Sequence, residues 1–295
     1  MRPRGGASAR LRLIRSPLSL YYTPMAKTRV QTYMEKLADQ PIRFTPYALK
    51  KTGLVQSQVF LKIEDYLLIC APFQLSIQRG IFLVVLSAQE ITFFQQFQKK
   101  LCSINLTFQK TGNKKPLNLF LRGSIERIGP VKGKQNVCMM DAIIKACPND
   151  LVEIICDYIT AFEGLKSQYE NFSGKTITVD EPASKLMRFN NYVELVVGAG
   201  KTRATLVSLA GNCLSLRISA PPTALAEGDA CSARLYFQVY QFTASGKVTE
   251  LQRADGNELI VVMAVEFTPE LIEIVDDYFF RQSIQGKPKA SPQGA

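Results

Sequence analysis

The sequence predicts a mainly β protein with peripheral helices, built as two tandem six-stranded antiparallel barrels, each followed by a C-terminal helix. Three observations point there. Short runs rich in β-branched and aromatic residues alternate with turn residues along most of the chain. A polar stretch from 173 to 184, containing Gly174 and Pro182, interrupts that pattern near the middle. The two halves also end alike: Leu151, Glu153, Ile154, Asp157 and Tyr158 recur as Leu271, Glu273, Ile274, Asp277 and Tyr278 at a constant offset of 120. An amphipathic helix packed on any sheet repeats such residues. Here, however, a strand and a proline precede both copies, and Gly123 to Ile128 resembles Gly246 to Leu251 upstream.

In chain order, residues 1–26 carry Arg2, Arg4, Arg10, Arg12 and Arg15 without an acid and read as a disordered basic leader. They hold no apolar stretch of signal-peptide length, and Met25 would make a natural start. A helix is expected from Thr28 to about Ala38, with Pro41 marking its end. Strands follow at 58–63, 66–71, 81–86, 103–108, 117–128 and 137–146. Between the third and fourth, Ser87 to Glu90 has capping-box spacing, and Ile91, Phe94 and Phe97 recur at helical intervals to Lys100. A second helix runs from Pro148 to about Tyr169, with Asn149 and Asp150 suited to its first turn. Strands resume at 192–197, 203–209, 213–218, 233–239, 242–251 and 258–267, and a helix from Pro269 to Phe280 closes the pattern. The expected domains are therefore 27–172 and 186–281, joined by a linker at 173–185 and followed by a disordered tail at 282–295.

Composition narrows function. At 295 residues and 46% hydrophobic content the chain can bury two cores. Its longest apolar runs, Gly80 to Leu86 and Leu259 to Val265, fall short of the roughly 20 residues that span a bilayer, so no membrane span is expected. The seven cysteines are odd in number, contain no C-x-x-C pair and sit among apolar neighbours. They read as reduced thiols of a cytoplasmic protein, with no metal site. The net charge of +11 is concentrated at the ends: seven bases lie in residues 1–29 and three from Arg281 onward. Removing these ten leaves 26 bases against 25 acids in 30–280, so nucleic acid is not an expected partner of the folded body. Histidine is absent and no Ser, Cys or Lys stands in a recognisable catalytic setting, which argues against an enzyme and a catalytic cofactor.

Residues 185–280 resemble a PilZ domain, the bacterial receptor module for cyclic di-GMP. The resemblance rests on the basic entry from Lys185 to Arg188, the strand-turn-strand from Leu206 to Leu216, Leu225 to Asp229 leading into a strand, Gly246 to Val248, and Ala264 to Phe267 before the closing helix. Residues 53–170 are similar to the PilZ-like domain that precedes such a barrel in two-domain members. The resemblance implies a ligand grip through R-x-x-x-R before the barrel and D/N-x-S-x-x-G within it. Arginine supplies a planar fork for phosphate and guanine, the acid or amide accepts guanine N–H groups, and glycine lets the backbone come close. Arg188 matches the second arginine, whereas Ser184 stands at the first, with Lys185 beside it. The second motif falls on Ser208 to Cys213, where all three defining positions differ. The candidate cyclic di-GMP contacts are thus Lys185, Arg188, Ser208 and Asn212, each with an ordinary surface or turn role as its alternative.

Three other signals read as structural. Gly198 to Thr202 resembles the end of a P-loop, but lacks the first glycine and the following helix, and is expected to be a hairpin turn. Phe93, Phe94 and Phe97 suit a core, although adjacent Phe93 and Phe94 cannot both point inward. The evenly spaced Cys138, Cys147 and Cys156 suit packing. The function implied is a signalling protein of cyclic di-GMP-linked motility or envelope control, with weak or absent ligand binding, acting through an unidentified protein partner. A competent receptor using substituted contacts, and a nucleic-acid-binding protein using the basic tails, are the alternatives.

Overall fold

The computed structural model describes residues 27–285, apart from 110, 111, 113, 114, 172, 173, 220–224, 239 and 255–257. The expected leader lies outside the described residues. The first half runs α1 (Arg29–Leu37), β1 (Ile42–Arg43), α2 (Pro46–Thr52), β2 (Phe60–Ile63), β3 (Tyr66–Ile69), β4 (Ala71–Leu75), β5 (Arg79–Val85), α3 (Ala88–Gln95), β6 (Leu101–Phe108), β7 (Leu117–Pro130), β8 (Val137–Ala146) and α4 (Asn149–Glu170). The second runs β9 (Thr176–Thr178), α5 (Glu181–Met187), β10 (Phe189–Val197), β11 (Gly200–Ala210), β12 (Cys213–Ile218), β13 (Ala230–Phe237), β14 (Gln241–Arg253), β15 (Leu259–Val265) and α6 (Pro269–Gln285).

The mainly β class with peripheral helices holds, and the second half is a closed six-stranded antiparallel barrel. Its order is β10-β13-β14-β15-β12-β11, with β11 returning to β10, while β9 lies along β11. The first half departs from the expected count of six. It is an eight-stranded sheet, β1-β4-β5-β8-β7-β6-β2-β3, whose ladder does not close. The extra strands have two causes. Short β1 pairs with β4, as β9 does with β11. One long strand is also divided at Cys70, so that its first part, β3, pairs with β2 and its second, β4, with β5. Pro72 and a bulge before Gln74 follow the division, and a proline cannot donate to a ladder. With β3 and β4 counted as one strand, the pairings of the two halves are the same.

The duplication reaches individual residues. In β7, Gly123 faces Cys102 and Ile144, and a register shift follows between Ile125 and Arg127. In β14, Gly246 faces Cys231 and Val265, and a shift follows between Val248 and Glu250. A Cβ added at Gly246 would lie 1.9 Å from the Ala264 carbonyl oxygen, and one at Gly123 would lie 2.7 Å from that of Ile143. Both glycines thus allow two backbones to approach where a long strand bends.

Two cores form. One gathers Leu61, Phe82, Leu106, Leu121, Ile125 and Met140 with Leu151 and Ile155 of α4. The other gathers Val193, Leu214, Leu216, Leu235, Val261 and Met263 with Leu271 and Val275 of α6. Each closing helix sits on its own core, as its repeated Leu and Ile residues imply. Buried Asp141 is held by a fork from Arg79: Nε donates to Oδ1 at 2.7 Å and Nη2 to Oδ2, which ties β5 to β8. The capping boxes at Thr28 and Ser87 both form. The expected linker contains β9 and most of α5, and its Ile177 and Ala183 belong to the second core. Where the tail was expected from 282, α6 continues to Gln285; the rest of that expected tail lies outside the described residues.

Gly246→Ala should destabilise the protein by ~3 kcal/mol, since the Ala264 and Val265 backbone atoms that its Cβ would meet cannot yield. Gly129→Ala, with nothing within 4 Å of its added Cβ, should be nearly neutral. Denaturant unfolding of the two variants checks this difference.

Candidate functional site

The entry to the second barrel repeats a device of the first. In α2, Thr45 accepts from the Ala48 amide at 3.2 Å, Pro46 fixes the first turn, and left-handed Gly53 ends the helix at φ 75°. In α5, Asp180 accepts from the Ala183 amide at 2.7 Å, Pro182 lies in the first turn, and Arg188 ends the helix at φ 56°. Glycine takes this conformation freely, whereas a side chain there costs roughly 1–2 kcal/mol. Glu64, Lys99, Asn136 and Asn191 also take a positive φ.

The other motif positions are distributed around it. Lys185 is exposed on α5 and pairs with Glu181 at 2.6 Å. Ser184 is only 5% exposed on the opposite side of the helix, so an arginine there would be driven into the core. Ser208 is half-buried in β11, opposite Ser215 on one side and Thr178 of β9 on the other. Asn212 is exposed in the β11–β12 turn, where its carbonyl accepts from the Val265 amide at 2.8 Å. Lys185 and Arg188 precede β10, and Ser208 and Asn212 lie away from the Val197–Gly200 hairpin, so all four stand toward one end of the barrel. Among the described residues, no hydrogen bond or ion pair links the Lys185 and Arg188 side chains to Ser208 or Asn212.

Arg188 opens instead into a groove of about 540 Å³ between the two halves. Cationic Lys51, Arg188 and Arg281 line it, with the rings of Phe237, Tyr240 and Tyr278 and the carboxylates of Glu273, Asp276 and Asp277. Most of its charge is already paired. Lys51 meets Glu273 at 2.6 Å and Arg281 meets Asp277 at 2.7 Å, while Tyr47 donates to Glu273 at 2.8 Å. Lys50 sits 4.0 Å above the Tyr240 ring. The Arg188 guanidinium has no ion-pair partner among the described residues. A cation beside stacked rings, with Phe237 and Tyr240 at 5.2 Å and 11°, can receive a phosphate next to a flat base. The three carboxylates oppose a polyanion.

Sequence reasoning missed Tyr47, Lys50, Lys51 and Tyr240. The Thr45-Pro46 cap with Gly53 beyond was the signal that would have placed α2. Glu273 belongs to the repeated segment, but no site role was expected for it. The other signals resolve as expected. Gly198 and Ala199 form a two-residue hairpin loop with positive φ at Gly198 alone. Phe94 and Phe97 are buried while Phe93 is exposed. No cluster of three or more metal-ligating side chains occurs among the described residues, and none of their helices is long and apolar enough to cross a membrane.

Residues 28–161 match the model of the PilZN3 domain. No curated protein matches the chain. Among solved structures, the chain is similar to the Borreliella burgdorferi PlzA protein in complex with c-di-GMP, at 13% identity and TM-score 0.41, covering 85% of this chain and 98% of that one. It is also similar to YcgR from Escherichia coli in complex with c-di-GMP, at 10% identity and TM-score 0.29, covering 81% and 88%. The Bacillus subtilis inhibitor of motility MotI/DgrA matches at 8% identity and TM-score 0.27, covering 79% and 99%.

The groove makes an alkaline prediction. Burial, followed by the charges of Glu273, Asp277 and Glu270, pushes the Tyr240 phenol up from 10 to about 12. Burial and then Glu270 push Tyr158 to about 12 as well. The folded state holds these protons more tightly than the unfolded chain, so their contribution is intact below pH 10 and lost between 10 and 12. Unfolding followed across that window should show stability falling, and Tyr240→Phe should make the fall shallower.

Proposed function

We propose that the chain, whose residues 28–161 match the model of the PilZN3 domain, is a two-domain PilZ signalling protein of cyclic di-GMP-linked control. In this reading residues 27–172 and 186–281 are the domains, 173–185 couples them, and the protein works in the cytoplasm through a protein partner rather than as an enzyme. One observation carries it: a closed barrel follows the half that matches the PilZN3 model and shares its strand pairings, with Arg188 at the barrel's entry.

Ligand binding is weak or absent in this reading. Two features support that: Ser184 is buried where the family motif places an arginine, and Glu273, Asp276 and Asp277 share the groove with Arg188. Each missing charge-assisted contact removes about 1–3 kcal/mol, so losing several weakens binding by orders of magnitude. Lys185, Ser208 and Asn212 stay with Arg188 as the candidate contacts for residual binding. The second reading, a competent receptor, is favoured only by the unpaired Arg188 beside stacked rings. Nucleic-acid binding has no comparable support, since residues 30–280 are close to charge balance.

Calorimetry of the full chain with cyclic di-GMP should show no saturable binding at low micromolar concentration. Tight binding that is abolished by Arg188→Ala would overturn the weak-ligand reading in favour of the receptor.

A further inference from the structure

The outer surface of the first half has an apolar region that the second lacks. Among the described residues of the second half, the exposed large hydrophobics are Phe280 and Ile284 on α6, whereas the first half exposes Leu67, Ile69, Val85, Leu101 and Phe120 on its strands. Leu67 and Ile69 of β3 are 63% and 68% exposed, and Val85 at the end of β5 is 80% exposed. They border an open groove of about 930 Å³, formed where the strand divided at Cys70 turns β3 away from β5. Cross-strand pairing continues the face from Ile69 through Phe60 and Asn105 to Phe120.

The same division leaves β3 as a sheet edge. Cys70 N–H donates to the Val59 carbonyl, which fixes the alternation of the β2–β3 ladder: Leu68 and Tyr66 bond to β2, while Leu67 and Ile69 turn their backbone groups outward. Those groups have no strand partner among the described residues. The edge strand Tyr66–Ile69 is short but carries no charge, proline or bulge, three of the devices that protect such an edge.

We propose that this groove is an interface between two copies of the chain, with β3 pairing antiparallel to β3 of the second copy about a twofold axis at Leu68. The edge is self-complementary in that register. Leu67 meets Ile69 of the second copy and Ile69 meets its Leu67, so all four outward-facing residues become hydrogen-bonded pairs. The paired strands cover Leu67, Ile69 and Val85 together. An isologous contact of this kind uses up both edges and closes at two, without extending into a fibre.

Sedimentation of the full chain up to about 100 µM should reveal a dimer, and Ile69→Lys, at a side chain already in solvent, should weaken it by about tenfold or more. Leu68→Cys should give a covalent dimer on mild oxidation, because residues on the axis are within disulfide reach. Phe120→Cys should not. A monomer throughout that range overturns the proposal, as does a dimer that Ile69→Lys leaves intact. Hydrogen-exchange protection of Leu67 and Ile69 in a monomer also overturns it, because the groove would then be filled by the chain's own residues 1–26 or by a different partner.

Discussion

Closing six antiparallel strands requires the longest strand to bend sharply, and the rest of this molecule depends on how that bend is made. β7 and β14 each bend at a glycine pressed against a neighbouring backbone, with a register shift starting two residues later. A side chain at either glycine would hold the strands apart, and the barrel would flatten into a sheet with both faces wet. Because the bend fixes where β8 and β15 end, it also fixes where α4 and α6 begin. The helices can then bring their repeated Leu and Ile residues onto the two cores.

From that placement comes the junction between the halves. α2 delivers Tyr47, Lys50 and Lys51 to the face of α6, and Glu273 receives both a phenol and an ammonium there. The equivalent helix of the second half, α5, delivers Arg188 to the same groove. Duplication thus gave two copies of one capped helix, ended by glycine in one and by arginine in the other. The difference between the copies is chemical, since the backbone conformation is shared.

Strand positions were legible in the sequence because alternation and turn chemistry are local. The capping box at Ser87 was legible for the same reason. The repeat of Leu151 to Tyr158 at Leu271 to Tyr278 revealed the duplication because helices packed on equivalently paired sheets need the same inward residues. What escaped was non-local. The division at Cys70 arises from which strands lie on either side of it, and α2 and α5 are seven-residue helices too short for a period to emerge. Arg188 was singled out from its motif as a candidate contact, but its surroundings were hidden. Lys51, Tyr240 and Glu273 are far apart in sequence and meet only when the halves come together.

The length of α4 has a mechanical consequence. Its 22 residues make a rod of about 33 Å. Leu151 to Ile159 are seated in the first core, whereas Phe162 meets Phe267 edge-on at 5.2 Å and Tyr169 donates to the Val265 carbonyl at 2.7 Å. One rigid shaft is therefore clamped at both ends in different bodies, and a twist of one body reaches the other as torque along it. Gly164 lies between Phe162 and Tyr169, within the part of the helix that grips the second body, and an added Cβ there would meet nothing within 4 Å.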